Sequence, residues 1–281
     1  MCLVILLTSC GTPRVIVKET GNSLAKSILQ HDFIFVITKE NPNLNDSLLI
    51  GTIATKHNAF TGDCNLRQVK QTAKNKAMAI GGNLIFITEH KRPNLLLNPC
   101  HRIQGNIYAV PNPEDFEKEI LWKPNRKLKV TDFKGTVEGK PFIAATNAYF
   151  GYTTSVKTKK NLVIVEVDTY FDCEASYFKN NENQSLVLNH EQLHFDITEI
   201  YARKFIQRLQ QEIKSYKDLI KKVEHIGDEV DQELQLKQEA YDTEVYSNLS
   251  QQSLWNEWTE AALEELAIYK NKTINRPYKE D

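Results

Sequence analysis

The sequence has no surplus of charge. Its 35 Lys and Arg stand against 36 Asp and Glu, a formal net charge of −1. That balance removes bulk attraction to nucleic acid or to an anionic membrane as a basis for function. Long hydrophobic runs are missing too: no interior stretch approaches the ~18 apolar residues that a membrane-spanning helix needs. No internal repeat or low-complexity tract interrupts the pattern. With 41% hydrophobic and 25% charged residues the chain is globular rather than disordered. Its 281 residues suffice for two ordinary domains or one large one. Cysteine is sparse, at five: Cys2, Cys10, Cys64, Cys100 and Cys173. Their spacing alone leaves the pairing open.

The N-terminus departs from this polar balance. Met1 to Leu7 is almost wholly apolar and runs into Leu7-Thr8-Ser9-Cys10-Gly11. An apolar residue, two small residues and then Cys resemble the lipobox of bacterial lipoprotein signal peptides. The resemblance implies removal of residues 1–9 and a lipid on the Cys10 sulfur, with no spanning helix left. It also implies the cell envelope, as an outer-membrane lipoprotein facing the periplasm. The run is short and no Lys or Arg precedes it, which a start further upstream would explain. A buried first strand is the plain alternative. After export, Cys64 and Cys100 are expected to pair as a disulfide, leaving Cys173 over; in a reducing compartment all would be thiols.

Residues 10–110 read as a small α/β domain. Short β-rich runs at Arg14–Lys18, Asp32–Thr38 and Leu48–Thr55 precede a helix whose Leu66, Val69, Ala73 and Ala77 share one face. Gly81-Gly82 stops that helix, and strands follow at Asn83–Glu89 and His101–Val110. The string Ala77-Met78-Ala79-Ile80-Gly81-Gly82-Asn83, with Cys100 leading into Gly105-Asn106-Ile107-Tyr108-Ala109, is similar to the RcsF-like outer-membrane lipoproteins. Over about a third of the chain, that likeness implies a sensor or binding accessory. Residues 111–127, polar and carrying Pro111, Pro113 and Pro124, read as a linker.

Beyond the linker, Phe142–Ser155 and Asn161–Thr169 read as an antiparallel hairpin around the lysine-rich turn Val156–Lys160. That turn is an ordinary solvated one. Helices are expected from Ser185 to about Lys222, from Asp228 to Tyr246, and from Ser250 to Tyr269. The expected fold is α+β: a small N-terminal α/β domain, then an antiparallel hairpin or sheet packed on a helical, zincin-like unit over residues 128–281.

The sharpest signal is His190-Glu191-Gln192-Leu193-His194. Two histidines at i and i+4 stand one above the other on a helix and can grip one metal ion. The intervening Glu191 flanks a metal-bound water and can take its proton. Zinc (Zn2+) suits imidazole ligands, and a catalytic zinc keeps one position open. Ile197 and Tyr201 continue the histidine stripe, so both rings face protein. Two buried core histidines, or a decayed site, are the plain alternative.

Leu188-Asn189-His190-Glu191-Gln192-Leu193-His194-Phe195-Asp196-Ile197, followed by Glu199 and Tyr201-Ala202-Arg203, carries a family resemblance. It resembles the bacterial domain-of-unknown-function family nine hundred and twenty-two, predicted to be zinc-dependent proteases. Val130-Thr131-Asp132-Phe133-Lys134-Gly135, Ala144-Ala145-Thr146 and Ser176-Tyr177 agree with it, so the likeness covers residues 128–266. It implies zinc at His190 and His194, with Glu191 as general base, acting on peptides or proteins.

The third ligand departs from known patterns. A metzincin needs a His where Ile200 stands, while a gluzincin takes a Glu from a later helix, where Glu212, Glu224 and Glu229 are available. The family likeness points to Tyr241-Asp242-Thr243-Glu244-Val245-Tyr246-Ser247, where a Thr-x-His is expected but Val245 and Ser247 stand. Either Asp242 or Glu244 substitutes, and Glu244 is the expected ligand because Glu is an established third ligand beside such a pair. Asp196 and Glu199 lie on other helix faces and suit second-layer roles, holding a histidine ring or Arg203. His225 reads as a helix C-terminal residue complementing the dipole. Tyr241 and Tyr246 are candidates for stabilising an oxyanion; Trp255 and Trp258 read as core. The sequence thus implies a lipid-anchored zinc metallopeptidase, or else a non-catalytic envelope binding protein with a structural or relict metal site.

Overall fold

The computed structural model describes residues 14–21, 34–37, 48–56, 65–92, 100–157 and 160–279. Cys10 with the whole lipobox, and Cys64, lie outside the described residues. The chain divides into two compact units, up to Glu117 and from Lys118.

The first unit is built on β1 (Arg14–Glu19), β2 (Ile34–Ile37), β3 (Leu48–Lys56), α1 (Leu66–Ala79), β4 (Leu84–Lys91) and β5 (Arg102–Ala109). The five strands form one sheet in the order β1-β3-β5-β4-β2, antiparallel except for β2 beside β4. Period-two alternation turns Ile103 and Ile107 of β5 inward, and Ile85 and Ile87 of β4 join them. On α1, Val69, Ala73 and Ala77 are fully buried against this sheet, the face that the spacing predicts. Asn65 Oδ1 accepts the Gln68 N–H at 2.8 Å and caps the helix start. Gly81, at φ +88°, ends it in the left-handed region. Cys100 is buried and disulfide-bonded.

The expected linker 111–127 is divided between the units instead. Pro113–Phe116 forms a single turn whose Phe116 packs on Leu84, Phe86 and Val110. Glu119–Leu121 is a strand, β6, of the second unit's sheet. Proline and charge give this stretch a linker's composition, but Phe116, Ile120 and Trp122 are apolar anchors that tie it down.

The second unit continues with β7 (Ala144–Ala145), β8 (Ala148–Lys157), β9 (Leu162–Asp172), β10 (Tyr177–Phe178), α2 (Gln184–Glu212), α3 (Tyr216–Ser247), α4 (Gln251–Glu265) and β11 (Thr273–Arg276). β8 and β9 form the antiparallel hairpin. β9 is the centre of a four-stranded sheet, with β8 along one edge and β6 and β11 in succession along the other. Alternate β9 residues Val163, Val165 and Val167 are buried with the apolar side of α2. Ile197, Ile200, Phe205 and Leu209 of α2 join Leu219, Val223, Ile226 and Val230 of α3 in the same core.

The first helix break differs from expectation. The sequence reading places it between Lys222 and Asp228; the chain breaks at Ile213–Ser215. A long-range anchor and a local cap explain why. Arg276 donates to the Gln210 carbonyl at 2.6 Å and to the Ile213 carbonyl, satisfying α2's last acceptors. Ser215 then caps α3, its Oγ accepting the Asp218 N–H at 3.4 Å. Gly227 therefore lies inside α3, and so does His225, an exposed residue 3.5 Å from Glu229 rather than a helix terminus.

Candidate metal centre

Helix α2 presents His190 and His194, and α3 runs beside it with Gln238 and Asp242, each pair one turn apart. The two pairs face each other as rungs. His190 Nε2 lies 3.1 Å from Asp242 Oδ1, His194 Nε2 lies 3.0 Å from the same oxygen, and the two Nε2 atoms are 3.1 Å apart. This is the group among the described residues whose donor atoms converge as metal ligands would. Both rings are largely buried, while the Asp242 side chain keeps 40% exposure and marks the side open to solvent.

Hydrogen-bond direction constrains the protons. Gln238 Nε2 donates to the His194 carbonyl at 3.0 Å and to Thr198 Oγ1 at 3.3 Å. Its Oε1 therefore faces His194 Nδ1, at 2.6 Å, and that nitrogen carries a proton. In neutral His194 the Nε2 atom is then a bare lone pair, aimed at a carboxylate oxygen and a second imidazole nitrogen. Such a triangle is satisfied by a further proton on Nε2 or by one cation shared by all three atoms. A tetrahedral ion with bonds of ~2.0–2.1 Å holds its ligand atoms about 3.3 Å apart, close to the observed edges. The donor set fits a divalent metal ion, and Gln238 provides the outer hydrogen bond that fixes a ligating histidine's tautomer.

The electrostatics agree with the geometry. Burial alone would raise the Asp242 pKa, but hydrogen bonds and charge from His190 and His194 hold it well below the usual carboxylate range. Burial pulls the His194 pKa down, yet Asp242, Glu191 and Gln238 together push it above 6.5. Glu191, 3% exposed, has its pKa raised by burial, partly opposed by His194, the Thr146 hydroxyl and His190. Its Oε2 is buried with no hydrogen-bond partner among the described residues. Such an orphaned oxygen calls for an explanation, and the carboxylate that carries it is electrostatically coupled to His194, His190 and Asp242. Thr146, just after β7, donates from Oγ1 to the Glu191 carbonyl at 3.1 Å and pins this part of the helix.

Glu244, the expected third ligand, is not in the group. Residues 242 and 244 are about 200° apart around a helix, so only one can face α2. Tyr241 and Val245 are buried, which sets the phase in favour of Asp242. Glu244 is exposed and accepts the Trp255 indole N–H at 2.9 Å. Asp196 and Glu199 hold no histidine, but Glu199 does hold Arg203, the other role expected of it. Asp196 accepts from Trp122 at 2.6 Å and Gln192 at 2.9 Å. Glu199 binds Arg203, Lys272 and Thr169 at 2.7–2.9 Å. The residue that does hold a histidine ring, Gln238, escaped the sequence reading, although its i, i+4 spacing to Asp242 was the available signal. Tyr241 is fully buried and stacks on His190, centroids 4.6 Å apart, while its hydroxyl bonds the His190 carbonyl and Gln252. It is a packing residue. Tyr246 is 61% exposed, tilted against His190 with centroids 5.4 Å apart; its pKa is pushed up to about 12 by burial, Asp242, Glu191 and Tyr177.

No family model, curated protein or solved structure matches the chain. The metal group accordingly stands on its own geometry.

Proposed function

We propose that this chain is a lipid-anchored, zinc-dependent peptidase of the cell envelope. The observation that carries the reading is a buried Glu191 carboxylate whose Oε2 has no hydrogen-bond partner among the described residues, beside the His190, His194 and Asp242 donor group. Asp242 replaces Glu244 as the third ligand in this reading. Zinc bound there would supply Lewis acidity and lower the pKa of a water towards neutral pH. Glu191 Oε2 would be placed to accept a proton, and burial raises its pKa, which suits it to pass the proton on to a leaving amine. His194 is held in its ligating tautomer by Gln238, and Thr146 steadies Glu191. Peptide bonds as substrate rest on the likeness of residues 188–203 to the zinc-protease family, and the anchor rests on the Cys10 motif.

The test separates a peptidase from a non-catalytic metal protein. The purified wild type should carry about one zinc per chain, lost in His190→Ala, His194→Ala or Asp242→Ala. Glu191→Gln should keep the zinc and lose cleavage of a fluorogenic peptide library by at least ~10²-fold. Wild-type protein with no zinc at micromolar free metal would end the hydrolase reading; full cleavage by Glu191→Gln would end the assigned role of Glu191.

A further inference from the structure

The two stripes that hold the metal group continue one turn further towards the same end of the helix pair. On α2, Leu186 precedes His190 by four residues; on α3, Tyr246 follows Asp242 by four. Because α2 and α3 pair antiparallel, with Gln238 opposite His194 and Asp242 opposite His190, the next rung is Leu186 and Tyr246. Both side chains are exposed, Leu186 at 42% and Tyr246 at 61%. The Tyr246 ring leans on the His190 imidazole, with centroids 5.4 Å apart. The rung adjoins Asp242, the exposed member of the donor group.

We propose that Leu186 and Tyr246 wall a subsite for an apolar side chain of the substrate, next to the bond that is cut. This rests on the metal-site reading above and extends it to specificity. The occupant follows from the position. The rung lies one helical turn from His190 and Asp242, and neither wall offers charge to a polar group. A side chain seated there removes its own surface, part of the Leu186 side chain and a face of the Tyr246 ring from water. The phenol's contribution is its ring face rather than its hydroxyl.

Amino-acid hydroxamates test this without requiring a known substrate, since the hydroxamate chelates zinc and the side chain reports the subsite. With zinc-loaded full-length protein, calorimetry should show leucine hydroxamate binding about tenfold tighter than glycine hydroxamate. In the Leu186→Ser, Tyr246→Ser double variant the ratio should fall below about twofold while zinc content stays at one per chain. Tyr246→Phe should keep the preference. Equal affinities in the wild type, or a preference that survives the double serine variant, overturn the subsite and leave the metal site standing. Failure to hold zinc at all overturns the metal site, and the subsite with it.

Discussion

At the scale of single residues, His194 has the most sharply defined environment. Its Nδ1 proton is fixed by Gln238, and its Nε2 faces the Asp242 carboxylate. In the metal-free protein this pair has a pH signature. The folded pKa is raised above the unfolded value near 6.5. The pair's stabilisation is therefore complete below pH 6.5 and is lost as pH rises through the higher folded value. Nitrogen-detected NMR of the metal-free protein should find one imidazole titrating above 6.5, and Asp242→Asn should bring it down. A His194 that titrates at or below 6.5 would mean that the carboxylate does not hold it. Binding a metal requires loss of the same Nε2 proton, so zinc affinity should weaken towards acid pH.

At the scale of elements, helix phase settles what composition leaves open. Tyr241 and Val245 are apolar and turn into the core, which turns Asp242 towards α2 and Glu244 towards Trp255. Gly227 is the counterexample, a residue whose type suggests a helix end but whose place is mid-helix. A Cβ there would meet only Phe205, at an ordinary 3.8 Å. Gly227→Ala should therefore stabilise the protein by about 0.5–1 kcal/mol, the helix cost of glycine. Denaturant unfolding measures it, and a lower midpoint for the variant would contradict this account of α3.

At the scale of the whole molecule, the second unit is held together by contacts distant in sequence. Glu199, with no exposed surface, joins Thr169 of β9, Arg203 of α2 and Lys272, the residue before β11. Removing it would leave two cations buried without their carboxylate. Glu199→Ala should cost about 3–5 kcal/mol in thermal or denaturant unfolding, a loss that a mere surface pair would not give. Arg276 adds a second tie by capping the end of α2. The proposed lipid anchor is tested at this scale too: Cys10→Ser should move the protein from the membrane fraction to the soluble one, and an unchanged distribution would remove the lipid from the proposal.

Local pattern by itself determined the helix carrying His190 and His194, the α1 face and the β8–β9 hairpin. Spacings of four residues and of two fix which side chains share a face, whatever the rest of the chain does. The i, i+4 rule put His190 and His194 together before any partner was known. What only the tertiary structure decided was the partner, Asp242 over Glu244 with Gln238 as the support for His194, and the break at Ile213–Ser215 rather than between Lys222 and Asp228. Each depends on how α3 is rotated against α2 and on where Arg276 returns from more than sixty residues away. Such choices are set by which apolar residues the core takes first, and a polar residue's own neighbours in sequence carry no record of them.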